Sequence, residues 1–172
     1  MNRRKPVSQI RIGIDFGTTR TLVASVEKGN YPLVTFETEG GEVHEWYPSL
    51  MAAQGPDIVF GWEAWAKQTD EDWHKFRSMK RLLAQASVNS TVELGGREIP
   101  LLELLIGYFR ALRHDLLQNS NLNVHRGAKF KVMVGIPANA NSNQRFLTLE
   151  AFRRAGFEVL GMVNEPSAAG IE

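Results

Sequence analysis

Apolar and polar residues alternate strictly near the start of the chain. In QIRIGIDF, apolar side chains recur at Ile10, Ile12, Ile14 and Phe16, every second position, which predicts a half-buried strand. TLVASVEKG predicts a second strand, GNYPL a turn and LVTFETEG a third strand. Shorter apolar pieces, WYPSLMAA and DIVFG, extend this meander to Gly61. There the period changes. Phe76, Met79, Leu82 and Leu83 fall at helical spacing and predict a mostly helical stretch over 73–86.

STVELGGREIP reads as a hairpin turned at Gly95 and Gly96. Pro100 then stands at a favoured first-turn position of a helix. Its stripe is Leu101, Leu105, Phe109, Leu112 and Leu116, widened by Leu102 and Ile106, so it is expected to be buried on much of its surface. KFKVMVGIP predicts a strand ended by Pro137. SNQRFLTLEAFRRAG predicts an amphipathic helix, with Ser142 as cap, Phe146, Leu149 and Phe152 as its apolar side, and Gly156 as its stop. FEVLGMV is the next strand, so the two strands should lie parallel across a right-handed crossover. NEPSAAGIE is expected to open a further helix. Starting near Pro166, it would have about two turns before Glu172, too few to be stable unpacked. A truncated chain is therefore expected.

Composition narrows the class without naming a function. The 172 residues suffice for one ordinary domain or two small lobes. A net charge of +1 provides no field to draw nucleic acid or an anionic membrane. There is no cysteine, which excludes disulfides and thiolate metal sites and suits a reducing compartment. No apolar run approaches the roughly 20 residues of a membrane span. The basic start, MNRRKPVSQIRIG, lacks a signal-peptide core, so a cytoplasmic location is expected. His44, His74, His114 and His125 share no metal-ligand spacing and read as surface or satisfied core residues.

The turn between the first two strands carries more chemistry than a hairpin needs. Asp15 ends the first strand, and Gly17, Thr18, Thr19 and Arg20 follow. Backbone N–H groups from Gly17 to Arg20 could form an anion-binding nest assisted by the threonine hydroxyls, and Asp15 could hold a hydrated Mg²⁺. Equally, Asp and Thr could cap their own turn. Lys80 and Arg81 in SMKRLLA read either as solvated helix cations or as a phosphate-facing lysine and its neighbour. Glu165 in VNEPSAAG reads either as an acid favoured at a helix N-terminus or as a site residue. Neither a GxxxxGK[ST] loop nor a GxGxxG fingerprint is present.

The order of these pieces resembles a known family. GIDFGTTRTLVA, GWEAWAKQ, MKRLLA and the long run from VMVGIPANANSNQR to NEPSAAGIE are together similar to the heat shock protein 70 family, from about Ile10 to the last residue. The long run is matched at Pro137, Ala138, Gln144, Arg145, Ala151, Ala155, Gly156, Val159, Asn164, Glu165, Pro166, Ser167, Ala168 and Ala169.

The resemblance implies an α/β, ribonuclease-H-like (actin-like ATPase) mixed sheet with flanking helices and a small α+β outer subdomain. It makes the chain the first lobe of that domain, with an inner subdomain of about 9–45 and 126–172 and an outer one of about 46–125. It implies ATP/ADP and Mg²⁺ as cofactors and Mg²⁺-dependent ATP hydrolysis in a longer parent, with the chain alone inactive. It makes Asp15, Gly17, Thr18, Thr19 and Arg20 the first phosphate loop, Lys80 the catalytic lysine, and Glu165 the acid near Mg²⁺ and the attacking water. Asp15 and Glu165 would hold the metal, Glu165 through water. Pro137 would be the proline switch and Arg81 its relay partner. Unfolded peptide clients and co-chaperones would engage parts outside this chain, and neither nucleic acid nor membrane is an expected partner. An actin-like polymerising protein and a sugar-kinase relative are the alternatives within the same fold. Arg20, the NANSN stretch after Ala138, and Gly170 depart from the best-known members and suggest a divergent bacterial relative.

Overall fold

The computed structural model describes residues 8–77 and 79–165. Its centre is a five-stranded mixed sheet. β1 (Gln9–Phe16) pairs antiparallel with β2 (Arg20–Ser25), which pairs in turn with β5 (Tyr47–Pro48). On its other side β1 runs parallel to β11 (Lys129–Ile136), and β11 runs parallel to β12 (Glu158–Asn164). The order β12-β11-β1-β2-β5 therefore joins a parallel half to an antiparallel half at β1. The third strand is cut short. β3 (Phe36–Glu37) pairs with β4 (Val43–His44), while Leu33 makes only an isolated bridge to Ala24. Tyr47, fully buried opposite Thr21, takes the sheet position that a longer third strand would have filled.

Alternation sorts the sheet faces. Ile12, Ile14, Phe16, Val132, Val134 and Ile136 point into one core with two helices, α3 (Leu101–Gln118) and α4 (Ser142–Arg154). The stripe of α3 is buried at Leu101, Leu105, Phe109, Leu112 and Leu116, as its period required, and Leu102 is half-buried. Phe109 bridges the layers, stacking on Phe152 at 3.8 Å and meeting Phe16 edge-on at 5.2 Å. Burial of such aromatic area dominates core energetics.

Four local expectations change. First, 73–86 is not mostly helical: β8 (His74–Arg77) is a strand and α2 (Met79–Ala84) is a short helix. HKFR also satisfies a period of two, and pairing with β6 (Leu50–Gln54) decides it, in a small sheet of order β7-β6-β8 with β7 (Asp57–Phe60). The meander toward Gly61 is thus split among three sheets, and α1 (Gly61–Ala66) follows it. Second, Pro100 caps α3 instead of opening it, as the last residue of β10 (Arg97–Pro100), which forms the expected Gly95–Gly96 hairpin with β9 (Thr91–Leu94). Both turn glycines have positive φ, 57° and 74°, the requirement of a tight primed turn. Third, the cap of α4 is Asn141, not Ser142. Its side chain accepts from the Gln144 N–H at 2.9 Å while Gln144 reaches back to the Asn141 N–H, a capping box. Fourth, α4 buries Leu147, Thr148, Ala151 and Phe152, leaving Phe146 exposed and Leu149 half-buried. Gly156 ends this helix at φ 95°. The helix expected from Pro166 onward lies outside the described residues.

Candidate functional site

Three parallel strands end at the same edge. Asp15 stands one residue before the end of β1, Pro137 directly follows β11, and Glu165 directly follows β12. The registers Asp15↔Gly135 and Gly135↔Val163 bring these ends side by side. The Glu165 N–H donates to the Ile136 carbonyl at 2.7 Å and so holds the strand exit in place. Ligands of open α/β sheets bind at this carboxyl edge, where the chain leaves the sheet and backbone groups become free. Gly135 keeps the centre open: a Cβ there would lie 3.6 Å from the Asp15 Cα and 3.7 Å from the Glu165 Cγ.

Lys80 reaches this edge from α2. Its Nζ donates to Glu165 Oε1 at 2.6 Å, across 85 residues of sequence. Both side chains are mostly covered, 17% and 26% exposed, so the pair is better shielded than an ordinary surface pair. Asp15 keeps an open face to solvent, yet its carboxyl is pushed above the ordinary carboxylate value. Desolvation is the largest cause, the Glu165 charge and a hydrogen bond with Glu165 add to it, and the Lys80 ammonium opposes it. One lysine thus stands against two crowded carboxylates.

This donor set suits one kind of metal. Among the described residues no group of three or more His, Cys, Asp and Glu side chains could form a protein cage. Two adjacent carboxylates fit a hydrated Mg²⁺, which keeps most of its waters and needs one or two carboxylates. A divalent cation there would also relieve the repulsion that raises Asp15.

The turn after β1 is tight and fixed. A Cβ on Gly17 would meet the Arg20 carbonyl oxygen at 2.2 Å, so only glycine fits. The Thr19 carbonyl accepts from the Ser49 N–H at 3.1 Å, which ties the turn to the segment after β5. Thr18 lines a cavity shared with Lys80, Arg81 and Pro137. The Arg20 guanidinium instead lies 4.7 Å over the ring of Trp46, within cation–π range. Trp46 belongs to an aromatic cluster with His44, Trp62 and Trp65. Asp15, Lys80 and Glu165 are thus brought together, Thr18, Arg81 and Pro137 border them, and the Arg20 side chain is held apart.

Sequence reading passed over one contact of this site. Arg145 donates through Nε to the Ala140 carbonyl at 3.1 Å and through a terminal nitrogen to Asn164 Oδ1 at 3.4 Å. It joins the turn after Pro137 to the residue before Glu165, whereas Arg81 is exposed on α2. The signal was present, since Arg145 stands in the long motif run, but a contact across the 139–164 span has no local signature. The histidines gather no metal site among the described residues: His44 stacks on Trp62, and His125 Nδ1 accepts from the Gly127 N–H. Among those residues no helix is long and apolar enough to cross a membrane.

Known proteins are similar to this chain along most of its length. A family model described as Hsp70 protein matches residues 120–172. Chaperone protein HscA of Proteus mirabilis (strain HI4320) is 29% identical over 182 residues, covering 95% of this chain and 28% of the relative. Chaperone protein DnaK of Mycoplasmopsis synoviae (strain 53) is 30% identical over 167 residues, covering 95% and 25%. A chaperone protein HscA homolog of Colwellia psychrerythraea is 26% identical over 176 residues, covering 95% and 28%. The chain spans about a quarter of the length of these curated bacterial relatives. With the motifs in family order along nearly its whole length, the chain is similar to the heat shock protein 70 family, whose model matches its residues 120–172.

Proposed function

We propose that this chain is the first lobe of a Mg²⁺-dependent ATPase domain of the ribonuclease-H-like, actin-like fold, in a cytoplasmic chaperone of the heat shock protein 70 type. The observation that carries the reading is the convergence of Asp15, Lys80 and Glu165 at the carboxyl edge of β1, β11 and β12, beside a Gly17 turn that admits no side chain. The sheet order supports the fold, with its antiparallel half β5-β2-β1 and parallel half β1-β11-β12. The inner subdomain spans about 9–45 and 126–172 and the outer one about 46–125. Within the outer stretch, β5 and α3 pack on the inner sheet.

Each residue has a role. The N–H groups of the turn at Gly17, Thr18, Thr19 and Arg20 hold phosphate oxygens of ATP or ADP. Asp15 and, through water, Glu165 hold Mg²⁺, which when bound neutralises phosphate charge. Lys80 leaves its pairing with Glu165 to meet the charge that redistributes as the terminal phosphoryl group departs. Glu165 orients the attacking water. Pro137 is the hinge that reports nucleotide to the rest of the protein, with Arg81 as its relay partner and Arg145 as the tie from the Pro137 turn to β12. Unfolded peptides and co-chaperones engage other parts of the longer protein.

The test is Lys80→Ala in the full-length protein. Single-turnover hydrolysis should fall by on the order of 10²-fold or more, comparable to removing one preorganised electrostatic donor, while nucleotide affinity stays nearly constant. An unchanged rate would leave Lys80 only a structural partner of Glu165, with no part in hydrolysis.

A further inference from the structure

A buried hydroxyl network lies beneath the turn after β1. Phe16 and Thr21 are register partners and close the loop of Gly17, Thr18, Thr19 and Arg20. Tyr108 of α3 touches both ends of that loop. Its ring meets the Phe16 ring at 5.4 Å, and its hydroxyl shares a hydrogen bond with Thr21 Oγ1 at 2.8 Å. Thr21 Oγ1 also bonds to Ser49 Oγ at 3.0 Å, and Ser49 Oγ lies 3.5 Å from the Tyr108 hydroxyl. The Ser49 N–H then donates to the Thr19 carbonyl inside the loop. Tyr108, Thr21 and Ser49 are all buried.

Packing alone does not explain a hydroxyl here. Leu104, Leu105 and Leu112, one turn away on α3, are buried and apolar, and a phenylalanine at 108 would fill the same space. A buried hydroxyl costs stability unless it is bonded. Among the described residues the buried polar side chains are Thr21, Ser25, Ser49 and Thr148, and two of these four meet at Tyr108. Burial pushes the Tyr108 hydroxyl above its ordinary value, so it stays protonated and has a hydrogen to give. Three mutually bonded hydroxyls fix one another's orientation, and with it the two ends of the loop.

We infer that Tyr108 is a positioning residue, which through Thr21 and Ser49 holds the Gly17–Arg20 turn in its tight shape. That Tyr108 sets the shape follows from these contacts; what the turn then holds rests on the ATPase reading. Under that reading the 46–125 stretch, which supplies both Ser49 and Tyr108, sets nucleotide affinity through the fraction of molecules whose turn is formed.

The test places Tyr108→Phe, which keeps the ring, and Thr21→Val, which keeps the branched shape, in the full-length protein. Amide hydrogen exchange at Gly17–Arg20 and Ser49 should quicken about fivefold to tenfold in each, as loss of one buried neutral hydrogen bond implies. The Kd for Mg·ADP should rise by a similar factor, while single-turnover hydrolysis at saturating ATP changes by less than about twofold. The double variant should be no worse than the worse single one, because both remove the same bond. Phe157→Leu, a buried change packed on Phe130 and Phe152, should lower the urea midpoint and leave both the turn's exchange and the Kd unaltered. Unchanged exchange at the turn in Tyr108→Phe would overturn the proposal. So would effects that multiply in the double variant, or a Phe157→Leu protein whose turn loosens as much as that of Tyr108→Phe. If exchange responds as described while the unsubstituted protein binds no Mg·ADP, the ATPase reading falls and the positioning role stands.

Discussion

On one face of the five-stranded sheet, Ile12, Ile14, Phe16, Val132, Val134 and Ile136 are buried beneath α3 and α4. On the other, Gly13, Asp15, Leu22, Met133, Gly135 and Val163 border an open surface. These are neighbours in sequence, sent to opposite sides by the period of the strand. The covered face is made of large side chains and sets the stability. The open face carries small residues at Gly13 and Gly135, and its rim holds Asp15 and Glu165. Crowded like charges there cost stability that the covered face offsets. Charge concentrates where a ligand would relieve it, which is the usual division between scaffold and site.

The largest expected effect lies on the covered face. Phe152→Ala removes a fully buried ring stacked on Phe109 and should cost about 3–5 kcal/mol, read as a lower urea midpoint. A loss below about 1 kcal/mol would mean that α4 is not a core helix.

A smaller effect of opposite sign is expected at the rim. The Asp15 carboxyl is raised above its ordinary value of 3.8, so the folded chain holds this proton more tightly than the unfolded chain does. Its contribution to stability is fully present below the ordinary value and is lost as pH rises through the raised one. Asp15→Asn should therefore stabilise the chain at neutral pH by less than Phe152→Ala costs, and the gain should vanish below about pH 4. Denaturation across that range checks it, and a gain independent of pH would remove electrostatics as the cause. In the full-length protein, the same variant should weaken Mg²⁺-dependent nucleotide affinity more than Mg²⁺-independent affinity.

The smallest effect sharpens the contrast between faces. Met133 sits between Val132 and Val134 in β11 but is 36% exposed, while both valines are fully buried. Met133→Ser should shift stability by no more than about 0.5 kcal/mol. A larger loss would show that the open face is covered in solution.

Much of this was legible along the chain. The alternation at Ile10 to Phe16 and at Lys129 to Ile136 gave both central strands, and the leucine stripe gave α3, because each pattern had only one period to satisfy. Trp73 to Ala86 differs from its expected helix because HKFR and MKRLLA stand one residue apart, and runs of four to six residues fit either period. Ser142 and Asn141 are equal candidates by residue type, since Ser and Asn cap equally well, and only the reciprocal bond to Gln144 selects Asn141. Gly17, Thr18 and Thr19 were legible as a turn with too much chemistry, but not what they would face.

The sequence by itself determined the two central strands, α3, the Gly95–Gly96 hairpin, the parallel crossover from β11 to β12 and the residue types available for phosphate and metal chemistry. It could do so because periodicity, turn glycines and motif order are local properties of a chain. Only the tertiary structure decided that β5 takes the sheet edge in place of a longer third strand, that Arg20 rests on Trp46, and that Arg145 ties Ala140 to Asn164. It also decided that Lys80 meets Glu165 beside Asp15. These are contacts between residues far apart in the chain, and they form only when buried apolar faces bring whole elements together and leave the charges at their ends no other partner.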